Sequence, residues 1–74
     1  MNMPELFDVI RLIPKTDNGQ KEINRHGDVV DVILKKKTSF CALANDGRCH
    51  WIDFPTDSNF LWQQIANFST QTET

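Results

Sequence analysis

The stretch Ser39-Phe40-Cys41-Ala42-Leu43-Ala44-Asn45-Asp46-Gly47-Arg48-Cys49-His50-Trp51-Ile52-Asp53-Phe54 sets two apolar runs on either side of an Asn-Asp-Gly turn signal. Asp and Gly tolerate the positive φ of a tight hairpin. The stretch therefore reads as a strand over 39–44, a turn over 45–48 and a returning strand over 49–54, closed by Pro55.

Upstream, His26-Gly27-Asp28 signals another turn, and Val29 to Leu34 is β-branched or aliphatic throughout except at Asp31. This is a further strand, joined to the hairpin by Lys35-Lys36-Lys37-Thr38 at a solvated tip. Nearer the N-terminus, Leu6 to Ile13 reads as a first strand ended by Pro14, which cannot donate to a ladder. Residues 14–27 are polar around a single apolar residue, Ile23, and are expected to be a long loop pinned by that anchor. Downstream, Leu61, Ile65 and Phe68 fall at helical spacing behind Asp57 or Ser58 as caps, so a short helix is expected over about residues 59–68. A fifth strand, with Phe60, Trp62 and Gln64 alternating against Leu61, Gln63 and Ile65, is the competing reading. Closely spaced strands with polar turns give a mostly β fold, a small curled barrel of five strands with a C-terminal helix or 3-10 turn.

A chain of 74 residues has room for one core, so residues 1–68 are expected to form one domain and the polar 69–74 a disordered tail. With 8 Lys and Arg against 10 Asp and Glu, the formal charge is −2 and no basic excess exists to hold a phosphate backbone. Nucleic acid is thus disfavoured as a partner. No charged leader with an apolar run and no stretch of about 20 apolar residues is present, which points to the cytoplasm and to no membrane contact. There, Cys41 and Cys49 are expected to be reduced thiols.

Four pieces, Leu6-Phe7-Asp8-Val9-Ile10, Gly27-Asp28-Val29, Asn45-Asp46-Gly47 and Phe54-Pro55-Thr56-Asp57, resemble the pattern of short bacterial SH3-like domains of unknown function. The resemblance spans about residues 5 to 61. It implies an SH3-like barrel and carries no catalytic residue. It departs at Val30, where that group places Gly.

Cys41, Cys49, His50 and His26 are ligand types that zinc accepts, but seven residues separate the cysteines and the adjacent Cys49 and His50 point to opposite faces of a strand. No metal or other cofactor is therefore expected. A nucleophile site built from either cysteine with His50 and Asp53 finds no concavity in a strand pair, so no enzyme is expected. Asp8, Asp28, Asp31 and Asp53 read as turn and edge residues, the three isolated glycines form no phosphate loop, and Asn67-Phe68-Ser69 is a sequon without consequence in the cytoplasm.

The aromatic set, Phe7, Phe40, Trp51, Phe54, Phe60, Trp62 and Phe68, is too large for so small a core to bury completely. The leading expectation is a non-catalytic module, of the adaptor, inhibitor or immunity/antitoxin kind, that binds another protein through Trp51, Trp62 and Phe54 with the loop around Asp17. Capping the barrel's open ends is the competing role for both Trp. The alternative function, a nucleic-acid or ribosome-associated barrel using the Lys35–Lys37 region, needs Arg11, Arg25, Lys35, Lys36 and Lys37 on one face.

Overall fold

The computed structural model describes residues 3–67. In chain order they form β1 (Asp8–Pro14), α1 (Asp17–His26), β2 (Val29–Lys35), β3 (Ser39–Leu43), β4 (Cys49–Asp53) and β5 (Phe60–Asn67). The strands make one antiparallel sheet in the order β4-β3-β2-β1-β5. Among the described residues no ladder joins β4 to β5, so the sheet has two edges.

Alternation sorts the side chains. Ile10, Leu12, Val30, Val32, Phe40, Ala42, Ile52, Phe60 and Trp62 fill one face and form the core, with Met3, Ile23 and Phe54 packed against it. That face is concave. Phe40 on β3 and Trp62 on β5 meet edge to face with ring centroids 5.0 Å apart. In a flat sheet three inter-strand spacings would hold them about 14 Å apart. Right-handed twist and two bulges supply the curl. One bulge lies in the β2–β3 ladder between Val32 and Leu34, and the other in the β1–β5 ladder between Val9 and Ile10. The first leaves Ile33 as the extra residue, and Ile33 and Leu34 are both exposed.

The hairpin falls where the sequence puts it. Gly47 has φ 88°, and the turn is closed by Gly47 N–H donating to the Ala44 carbonyl. Two expectations are corrected. Residues 14–27 are not a loop: Thr16 caps α1 by accepting from the Gly19 N–H at 3.1 Å, and Gly27, at φ 93°, ends it by donating to the Ile23 carbonyl. Ile23 anchors the segment to the core as expected. Nor, among the described residues of the expected 59–68 segment, is there a helix or 3-10 turn. Phe60 and Trp62 are buried while Leu61 and Gln63 face out, which is strand alternation, and β1 gains its second ladder from this segment. The expected tail at 69–74 lies outside the described residues.

Three ties hold α1 and the β4–β5 connection to each other. Asn59 accepts from Lys15 N–H through its carbonyl and from Thr16 Oγ1 through its side chain, and Lys15 Nζ donates to the Asp57 carbonyl. The buried Asp57 carboxylate accepts from the N–H groups of Asp53, Asn59 and Phe60, which shapes the turn into β5. No helix among the described residues is long and apolar enough to cross a membrane.

Candidate functional site

The convex face is the surface that core formation leaves unused, and its ladder partners are set by register. Leu34, Cys41 and Trp51 stand side by side across β2, β3 and β4. Leu34 and Trp51 are exposed, Trp51 by 50%, and Cys41 between them is only 4% exposed although it is not among the core cluster of the concave face. The two larger side chains roof it.

The bulge extends this row. By adding Ile33 to the strand it lets Ile33 and Leu34 both face outward, where strict alternation would send one of them to the core. Beside Ile33 lies Phe7, in a concavity of about 200 Å³ shared with Asp31 and Val32. Phe7 is 57% exposed and sits at φ 69°, a conformation that bulky residues rarely adopt. It is held there on both sides: its N–H donates to the Val32 carbonyl, and the next residue, Asp8, donates its N–H to the Glu5 carbonyl. The Asp8 carboxylate is buried and accepts from Glu5 N–H, Gln64 Nε2 and Asn67 Nδ2. Leu6, Phe7, Asp8, Lys35, Gln64 and Asn67 border a wider open cleft of about 610 Å³. A saturated carboxylate in its wall fixes the bend that presents Phe7.

The expected site residues separate. Trp51 is on the convex face with Lys36 Nζ 4.8 Å above its ring. Trp62 is 7% exposed and part of the core, which corrects its expected place on a recognition surface. Phe54 is half-buried on the concave side, its ring 6.5 Å from that of Trp62. Asp17 is exposed in the first turn of α1, where a carboxylate complements the helix dipole. Sequence reasoning missed Leu34, Ile33 and Phe7. The unbroken Val32-Ile33-Leu34 run was the one signal available, since an alternating half-buried strand has no place for three successive apolar residues.

The other polar cluster sits at the end of α1. His26 Nδ1 is 2.5 Å from Asp46 Oδ2, and the His26 and His50 rings are 5.4 Å apart. The hydrogen bond from His26, and next that from Arg48 N–H, hold the Asp46 carboxyl below its usual range. His50 Nε2 is buried without a hydrogen-bond partner in the structure. Cys41 and Cys49 lie on the opposite face of the sheet from His50, so thiol and imidazole do not meet. Among the described residues no group of three His, Cys, Asp or Glu side chains is placed to hold a metal ion.

No protein-family model matches this chain, and neither a curated protein nor a solved structure matches it.

Proposed function

We propose that the chain is a small SH3-like barrel, open between β4 and β5, that acts as a non-catalytic protein-binding module through its convex face. The observation that carries this reading is the set of exposed apolar side chains, Phe7 just before β1, Ile33 and Leu34 on β2, and Trp51 across β3 on β4. A contiguous apolar surface has no solubility advantage and offers the rigid aromatic anchors on which protein interfaces depend. The strand order and the ring contact between β3 and β5 are compatible with a rolled, barrel-like sheet.

Four of the five basic residues that a nucleic-acid site would use are engaged elsewhere. Arg11 faces Asp28, Arg25 faces Glu22, Lys35 bonds Glu5 and Lys36 covers Trp51. That favours the protein-binding reading over the basic-patch one.

The test is affinity capture with the parent chain and with Leu34→Asp, Trp51→Ala and Lys37→Glu variants at two salt concentrations. Loss of the same captured protein with the first two variants, and its retention with the third, supports the reading. Loss confined to Lys37→Glu, with binding that collapses as salt rises, overturns it in favour of a nucleic-acid partner.

A further inference from the structure

The proposed binding surface contains the chain's two thiols, and their placement has its own chemistry. Register sets Cys41 opposite Trp51 and Cys49 opposite Leu43, so the cysteines are diagonal neighbours on the convex face of β3 and β4. Cys49 is exposed, on an edge strand, while Cys41 is buried beneath Leu34 and Trp51. Both thiols thus project from the same face of one strand pair. One thiol is therefore open to solvent, and the other is shielded from it.

We propose that Cys41 and Cys49 form a redox-modifiable dithiol that reacts with low-molecular-weight disulfides and closes to a cross-strand disulfide. The Cys49 thiolate attacks one sulfur of the small disulfide. The S–S bond breaks, a small thiolate leaves and takes up a proton, and Cys49 carries a mixed disulfide. Deprotonated Cys41 then attacks the Cys49 sulfur and expels the second small thiolate. The two protein sulfurs have lost two electrons and two protons, and one small disulfide has become two small thiols.

The order of attack follows from environment. Burial first, and the Cys49 hydrogen bond second, push the Cys41 thiol above its ordinary value, so Cys41 is the weaker first nucleophile. Diagonal positions on paired strands have Cα atoms about 7–8 Å apart, slightly beyond ordinary disulfide geometry. Closure thus requires β4 to shift toward β3. Because β4 is an edge strand of five residues, that shift breaks no ladder on its outer side, and the strain leaves the bond easily reduced.

The experiment treats the reduced chain with oxidised glutathione and follows intact mass. The parent should lose two hydrogens and retain no glutathione, a change reversed by dithiothreitol. Cys41→Ala should stop at a stable glutathione adduct, and Cys49→Ser should remain unmodified. Because Cys49 is exposed, its variant tests the proposal even if Cys41→Ala fails to fold. A parent that keeps glutathione on Cys49 with Cys41 still alkylatable, that forms disulfide-linked dimers, or that does not react overturns the assignment. Capture by Leu34→Asp and Trp51→Ala reads the binding surface separately, so either idea can fail alone.

Discussion

His50 on β4 and Phe60 on β5 have ring centroids 6.2 Å apart, although their strands are the two opposite edges of the sheet. Four inter-strand spacings would separate them by about 19 Å in a flat sheet. The edges have been rolled toward each other, and His26 from the end of α1 lies against His50 at the same place. Side chains occupy the gap that main-chain hydrogen bonds do not close. An edge covered in this way is a poor template for further strands.

Gly19 gives a prediction with an unexpected sign. Ala in place of a helix-interior Gly ordinarily stabilises by about 1 kcal/mol. Here an added Cβ would stand 2.4 Å from the Asn59 carbonyl oxygen, which Lys15 N–H holds in place. Gly19→Ala should therefore destabilise by about 1–3 kcal/mol. Urea melts check this, and a variant more stable than the parent would show that α1 is not seated against residue 59.

Asp57 stabilises through three backbone donors gathered on one buried carboxylate. Asp57→Asn keeps the shape but offers an amide N–H₂ where an oxygen was needed, so buried N–H groups lose their acceptor. The expected cost is about 2–3 kcal/mol. Equal denaturation midpoints for variant and parent would contradict this role.

The two tryptophans should separate stability from binding. Trp62→Ala empties a core position and should cost about 3–5 kcal/mol. Trp51→Ala removes a half-exposed ring and should leave stability within about 1 kcal/mol of the parent while lowering partner affinity at least about thirtyfold. Melting and capture on the same two proteins decide the matter, and the reverse ranking would place Trp51 in the core.

Acid should act through Asp46. Its carboxyl titrates lower in the folded chain than in the unfolded one because His26 and then Arg48 N–H hydrogen-bond the charged form. Its contribution is fully present above the unfolded value of about 3.9 and is lost as pH falls through the lower folded value. Asp46→Asn should thus be less stable than the parent at pH 6, and the gap should narrow as pH falls below about 4. Thermal melts across pH check it; a gap that stays constant down to about pH 2 would exclude this linkage.

The hairpin around Gly47, the strand after Gly27 and the mostly β class were legible because turn residues and β-branched runs are local signals. Helix α1 was not. It carries one core-facing apolar residue, Ile23, and Asn18-Gly19 inside it imitates a turn; only the flanking Thr16 and Gly27 caps marked its ends. Strand β5 was ambiguous since Leu61, Ile65 and Phe68 fit a helix, and what settles it is β1, whose free side needs a partner fifty residues away. An exposed Trp could be expected from the aromatic excess but an exposed Leu34 could not, because its outward turn depends on a bulge that exists only once β2 and β3 are paired.

The pairing of β1 with β5 also sets a schedule. Asp8 is matched with Asn67 and Pro14 with Phe60, so β1 is completed by a strand that is made only when residues 60–67 follow. During synthesis β1 can ladder with β2, but its other side stays open until residues 60–67 emerge. Trp62, which must pack on Phe40, arrives with them. Contacts between such distant parts of the chain slow folding, and a nascent chain halted before residue 60 would expose both an unpaired strand and the apolar hollow that Trp62 fills. Truncation within residues 60–67 should therefore yield an aggregating chain rather than a smaller folded one.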